Sequence, residues 1–280
     1  MKVYGKIIYF NYSERYFVIN HKNRQRYYYL SKRILNDYKN YLTLNPYIVV
    51  DVLTPPLRLK GFIAYEVNHF IKITVPKRYQ DKTYFNLNSI QKEIKTLINR
   101  PYYKLFLDLE FSLPGNNGKP TSEIVQYGMI LEDPQGQVIL EETSLLKPYQ
   151  DKALNARTLL FLSKVLSDFD NAASYIEFYQ LLERCIRDYN VKIIAWGNND
   201  ILAMQKSFKF NHLIPLDLRG RYLNLMQIIK NYYSARQEKG LFATYQEYTK
   251  TPLMLQSHDA MEDARIAREI FHLFKNEINN

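Results

Sequence analysis

The chain has 280 residues, 46% of them hydrophobic, and no apolar run approaches the roughly 18 residues a membrane helix needs, so one large or two modest globular domains are expected. Its one cysteine, Cys185, excludes an internal disulfide and a cysteine-built metal cage. Met1–Gly5 leads into alternating residues rather than a signal peptide's apolar block, and the single cysteine makes a cytoplasmic chain the expected reading. The net charge of +10 is uneven. Residues 1–104 hold 19 of the 38 Lys+Arg, 6 of the 28 Asp+Glu and 15 of the 25 tyrosines, and the remainder is slightly acidic. Basic surface with interleaved aromatics suits single-stranded nucleic acid. The plain alternative is that the lysines solubilise a surface and the tyrosines fill strands.

Period-two alternation predicts strands at Lys2–Phe10, Tyr16–Asn20, Arg26–Leu30, Tyr47–Leu53, Leu59–Glu66 and Phe70–Val75. Turns are expected at Asn11–Glu14 and His21–Gln25, and a short helix near Ser31–Tyr41. So many short strands in under 80 residues suggest a small closed all-β barrel. Gly5–Asn11, Tyr16–Ile19 and Tyr27–Leu30 together resemble the first three strands of a cold-shock domain, an OB-type barrel. That resemblance implies an aromatic platform for unpaired bases, with Tyr9, Tyr16 and Tyr28 on it. Arg15 and Phe17 stand where that family usually has glycines. Alternation also requires at least one ring of Tyr27-Tyr28-Tyr29 to face inward. Residues 76–100 read as a basic connector with a helix at Ser89–Asn99.

Tyr103–Phe111 is an apolar run of the kind a doubly buried central strand shows. Asp108 and Glu110 interrupt it, two apart and therefore on one face. No other Asp-x-Glu occurs in the chain. Glu123–Ile130 and Gln137–Leu146, joined by the turn Asp133–Gly136, complete a three-strand meander. Helices are expected at Ala156–Leu166 and Ile176–Tyr189, the latter with Cys185 on its apolar side. A buried strand at Val191–Gly197 and a helix at Ile201–Phe208 follow. Asp200 stands between those two, so it either caps the helix or joins a site. Asp259 with Glu262 has the form of a capping box, which starts the last helix at Ala260. Ala260, Ala264 and Ala267 suit close packing of that helix on a sheet. His258 then lies outside the helix and can turn toward Asp263, partly exposed as a proton-transfer group requires. His212 and Asp217 repeat the same spacing around Pro215 without a helical pattern, so spacing alone is not diagnostic.

Gathered at one point, Asp108, Glu110, Asp200 and Asp263 would repel one another strongly unless divalent cations sat between them. Such a pair of cations serves in-line displacement at a phosphate. The ordered set Asp108-x-Glu110, Asp200, His258-x4-Asp263 resembles the DEDDh branch of the DnaQ-like 3′–5′ exonucleases, over about Tyr103–Leu273. Glu123–Gly128, Leu146-Lys147-Pro148 and Trp196–Asp200 extend the match, which is nearest to the RNA-degrading subgroup similar to ERI-1 and KapD. The resemblance implies an α/β RNase H-like domain, a mixed central sheet flanked by helices. It implies Asp108, Glu110, Asp200 and Asp263 as ligands of two Mg²⁺ or Mn²⁺ ions, and His258 as the base that deprotonates the attacking water. Leu109 and Ser112 are implied contacts to the terminal nucleotide. The expected organisation is a barrel at 1–75, a connector at 76–100 and an exonuclease domain at 101–280. The expected activity is removal of nucleoside 5′-monophosphates from the 3′ end of single-stranded RNA. The same chemistry on DNA, in repair or proofreading, and an inactive RNA-binding protein stay open.

Overall fold

The computed structural model describes residues 1–21, 24–59, 61–76, 84–114, 122–235, 237–251 and 258–280. The chain divides into two compact units, Met1–Glu93 and Ile94–Asn280. Parts of the expected turn at His21–Gln25 and of the expected connector lie outside the described residues. Among the described residues no helix is long and apolar enough to cross a membrane.

The first unit contains β1 (Lys2–Asn11), β2 (Tyr16–His21), β3 (Arg24–Tyr29), α1 (Lys32–Leu42), β4 (Tyr47–Val52), β5 (Leu57–Leu59), β6 (Phe62–Thr74) and β7 (Tyr84–Phe85). The strand order β3-β2-β1-β4-β6 closes on itself through a parallel pairing of β3 with β6. This five-stranded barrel, with α1 between its third and fourth strands, has OB topology. Ser31 caps α1 by accepting the N–H of Ile34. Alternation fills the barrel: Ile48, Val50 and Val52 point inward from β4 to meet Ile7, Phe17, Ile19 and Phe70. The two strands expected at Leu59–Glu66 and Phe70–Val75 are one long strand, β6. In the fold Asn68 donates to Asp51 at 2.9 Å, and register shifts against β4 absorb the irregularity.

The division between the units falls within α2 (Leu87–Ile98). The second unit continues with β8 (Lys104–Phe111), β9 (Ile124–Glu132), β10 (Val138–Lys147), α3 (Ala156–Phe161), β11 (Ala173–Ser174), α4 (Tyr175–Tyr189), β12 (Lys192–Ala195), α5 (Asn199–Phe210), β13 (Tyr222–Asn224), α6 (Leu225–Tyr232), α7 (Leu241–Thr249) and α8 (Ala260–Glu277). Its sheet runs β11-β10-β9-β8-β12-β13. β8, β9 and β10 form the antiparallel meander, while β12 lies parallel to β8 and β13 parallel to β12. This is a mixed sheet flanked by helices, the expected α/β class. The helix expected at Ala156–Leu166 is shorter, because α3 stops at Phe161 and Ser163 takes a φ of +53°. A separate 3₁₀ turn follows at Leu166–Phe169.

Two features press α8 onto the sheet. At one end Gly128 of β9 has no side chain, and a Cβ there would stand 2.3 Å from the Ala260 carbonyl oxygen. Ala260, Ala264 and Ala267 are buried along the same helix, so its backbone lies close to the strands. Toward the other end, Glu132 of β9 is fully buried and accepts from Arg268 and from His272 Nε2 (2.8 Å), while Lys104 Nζ lies 3.5 Å away. Burial raises the Glu132 pKa, but the His272 hydrogen bond and charge together with Arg268 outweigh it and hold the carboxyl below its ordinary value. Removing Glu132 strands the buried Lys104 charge, and breaking a buried pair of this kind costs about 3–5 kcal/mol. Glu132→Ala is therefore expected to lose that much in chemical denaturation at pH 7. The loss should shrink in acid. A depressed carboxyl pKa stabilises fully above the unfolded value of about 4.3 and progressively less as pH falls through the folded value.

Candidate active site

Four elements meet at one end of the sheet. β8 brings Asp108 and Glu110 on one face, opposite Gly128 and Gln126 of β9. The absence of a side chain at Gly128 admits the first turn of α8. Asp259 caps that turn, with Oδ1 accepting from the Met261 and Glu262 N–H groups at 3.1 Å each. Its other oxygen accepts from Gln126 Nε2 at 2.9 Å, so the cap is tied to the strand that faces Glu110. Asp263, buried in the first turn, is thereby delivered to β8. Asp108, Glu110 and Asp263 each present a carboxylate oxygen within 4.8 Å of the others.

Asp200 arrives from the parallel neighbour. β12 pairs with β8 as far as Phe106 and ends at Ala195, and the chain turns through Gly197 at a φ of +98°. Tyr222 donates to the Gly197 carbonyl at 2.8 Å and holds the turn. α5 starts earlier than expected, so Asp200 lies buried inside its first turn. Its Oδ1 accepts the Leu109 N–H of β8 at 3.2 Å. Asp200 thus reaches across to the strand that carries Asp108 and Glu110, beyond any role as a helix cap.

The charges are crowded. Burial, then Asp200, Asp263 and Glu110, raise the Asp108 pKa well above its ordinary value. Burial, then Asp263, Asp200 and Asp259, push Glu110 up to about 8. Burial also pushes Asp200 up to about 7, against the lowering effect of the Leu109 N–H. Carboxylates packed this closely give up their protons readily only when a cation replaces them, and hard oxygen donors suit small divalent cations. The residues present therefore fit such ions, held by Asp108, Glu110 and Asp263 with Asp200 beside them.

His258 precedes the cap with a φ of +50°, outside the helix and partly exposed. Its ring is packed on Phe161, with centroids 3.8 Å apart, and burial lowers its pKa. The comparison pair behaves as its context requires. His212 and Asp217 lie in the irregular segment between α5 and β13, and Asp217 bonds Arg219 on the surface.

Three expectations need correction. The Leu109 side chain is buried in the core of the second unit, and its N–H is taken by Asp200, so neither is presented to a ligand. Ser112 is buried, and its hydroxyl accepts the Glu123 N–H at 3.0 Å, closing the end of the β8–β9 ladder. Tyr28 lies inside the barrel, fully buried and stacked on Phe17 with centroids 5.2 Å apart, because alternation along β3 turns it inward. The outward face carries a different group. Tyr16 meets Tyr9, Tyr27 and Phe62 at centroid separations of 5.9, 5.8 and 5.1 Å, with Tyr9 half exposed. Phe62 and Phe161 carried no local signal for these places. Gln126 and Gly128 did lie within a recognised segment, but their roles depend on strand register.

No protein-family model matches the chain, and no curated protein matches it in sequence. Solved structures do. The nuclease domain of 3′hExo, described as a DEDDh family member bound to rAMP, is 12% identical over 63% of this chain and 93% of that one, with a TM-score of 0.54. A 3′-exonuclease in 3′-end-specific recognition of a histone mRNA stem-loop is 12% identical over 68% and 71%, with a TM-score of 0.53. The cell-death related nuclease CRN-4 is 20% identical over 65% of each chain, with a TM-score of 0.52. At these identities the likeness is one of fold, and the fold is that of the DEDDh 3′ exonucleases.

Proposed function

We propose that this protein is a metal-dependent 3′–5′ exoribonuclease. The observation that carries the reading is the meeting of Asp108, Glu110 and Asp263 within 4.8 Å, with Asp200 hydrogen-bonded to the same stretch of β8. Mg²⁺ or Mn²⁺ bound there would supply positive charge for an in-line displacement at the terminal phosphodiester. His258 takes a proton from the attacking water, and its lowered pKa keeps the ring neutral for that task near pH 7. The water oxygen forms the new bond to phosphorus, the bond to the 3′ oxygen breaks, and that oxygen stays on the shortened strand. The leaving unit is a nucleoside 5′-monophosphate.

The choice of RNA rests on the resemblance to the RNA-degrading subgroup at Trp196–Asp200. The choice of a single-stranded substrate rests on the first unit, with its basic composition and the outward cluster of Tyr9, Tyr16, Tyr27 and Phe62 on an OB barrel. Such a surface holds unpaired bases at about 1–3 kcal/mol each. Covalent linkage to the acidic site raises the local concentration of a held strand, which favours repeated cleavage. A cytoplasmic location belongs to the same reading and rests on the single cysteine.

Purified protein with Mg²⁺ or Mn²⁺ is expected to shorten 3′-hydroxyl single-stranded RNA, and faster than a DNA of matched sequence. Asp108→Ala and Asp263→Ala should each abolish this; full activity in both would defeat the assignment.

Thermal unfolding offers a reading without turnover. Carboxylates whose folded pKa values are raised oppose folding increasingly as pH climbs from about 4 toward 8. The rise in Tm on adding Mn²⁺ should therefore be larger at pH 8 than at pH 5.5. Asp108→Asn, with one fewer carboxylate, should show a smaller rise at both pH values.

On the barrel, Tyr16→Ala with Tyr27→Ala should weaken binding of long RNA at least tenfold and spare cleavage of dinucleotides. Equal losses on both lengths would count against a stacking role.

A further inference from the structure

His258 poses a problem of orientation. It sits at a φ of +50° just before the α8 cap, and among the described residues no hydrogen bond holds either ring nitrogen. A group that removes a proton must be aimed, and a misplacement of about 1 Å can cost about 100-fold in rate. Yet its imidazole makes the closest ring contact among the described residues, 3.8 Å between centroids with the planes 30° apart, and the partner is Phe161.

Phe161 is itself firmly held. It packs against the cluster of Val125, Leu162, Phe169 and Ala172, and it closes α3. That helix is bound to the chain just beyond Glu110. Asn155 caps it and donates to the Leu113 carbonyl at 2.8 Å, while Thr158, fully buried, accepts the Leu113 N–H at 2.9 Å. Arg157 adds a bond to the Pro114 carbonyl at 3.1 Å. The ring face against His258 is thus tied by successive hydrogen bonds to the segment that leaves β8, the strand of Asp108 and Glu110.

We propose that Phe161 is the positioning residue for His258: its ring selects the imidazole orientation from which the proton is taken. The proposal rests on the assignment of His258 as the base. Phe161 acts only through the histidine, as a shelf in place of the hydrogen bond that would otherwise orient an imidazole. The stack engages the ring face and not the nitrogens, which among the described residues accept and donate no hydrogen bond.

The test uses the full chain with Phe161→Leu, which keeps an apolar side chain and removes the ring, and Phe161→Tyr, which keeps the ring. The first readout needs no turnover. The His258 ring-proton resonances, identified by their loss in His258→Gln, should be shifted by the Phe161 ring current in the wild type and in Phe161→Tyr, and should return to ordinary positions in Phe161→Leu. The second is steady-state cleavage of single-stranded RNA at saturating Mn²⁺. Phe161→Leu should lower kcat about 10- to 100-fold with KM unchanged, as expected when general-base catalysis worth about 10²–10⁴ is loosened rather than removed. Phe161→Tyr should recover most of it. A wild type without the shifted resonances overturns the proposal whatever the activity, and so does wild-type kcat in Phe161→Leu. A rise in KM alone would make Phe161 a substrate contact and overturn positioning as well. An inactive wild type that keeps the shifted resonances would defeat the hydrolytic reading while the held ring itself stood.

Discussion

The closeness of α8 to β9 is the constraint on which the acidic site depends. Gly128 lies opposite Asp108 in the ladder, and the space its side chain would take is filled by the backbone of Ala260 and Met261. Only with that contact does the first turn of the helix come near enough for Asp263 to meet Asp108 and Glu110. Gln126, two residues earlier on the same strand, reads the position of the helix through the cap, since its amide donates to Asp259. The cap residue therefore both starts the helix and locates it on the sheet. A helix displaced by one turn would carry its carboxylate about 5.4 Å from the strand pair.

Such a site works against the fold that holds it. Burial and mutual repulsion raise the pKa values of Asp108, Glu110 and Asp200, so each deprotonation at neutral pH is opposed. Apolar packing supplies the counterweight. β8 and β9 are covered on both faces, and Leu105, Leu107, Leu109, Met129 and Leu131 belong to one continuous core with α4 and α5. Farther along α8, the buried Glu132 group binds the same helix with paired charges. One end of the helix is thus anchored by ion pairs to Glu132, and the other carries Asp263 into the acidic cluster. Opposite charges are paired at the Glu132 end, whereas like charges are gathered at the other.

The barrel shows how one residue of register separates core from surface. Tyr27 and Tyr28 are neighbours of the same chemistry. Tyr28 stacks on Phe17 and fills the interior, whereas Tyr27 joins Tyr9, Tyr16 and Phe62 outside. Beneath the outer rings Val18 and Ala64 are buried although they point away from the barrel interior, because the aromatic group covers them. The outer cluster is consequently a packed unit of tilted rings. Its members hold each other in place and leave Tyr9 the more open to solvent.

By itself the sequence determined what depends on local period and chain order. Apolar alternation yielded the barrel strands, and the apolar runs yielded β8, β9 and β12 in sequence. Asp108 and Glu110 on one face, and Asp259 as a cap with His258 outside the helix, follow from rules spanning five residues or fewer. The places where those readings failed share a cause. Leu109, Ser112 and Tyr28 have side chains or hydroxyls that suit a ligand as well as an interior, and only their neighbours across the sheet decide between the two. The merging of two expected strands into β6 likewise depends on a partner strand that absorbs a bulge. Tertiary structure alone decided that Gly128 admits α8, that Asp200 binds the strand instead of only capping its helix, and that Phe161 faces His258. Each of these is a contact between residues distant in the chain. Its energy comes from burial and register, and neither quantity exists until the sheet and helices have packed.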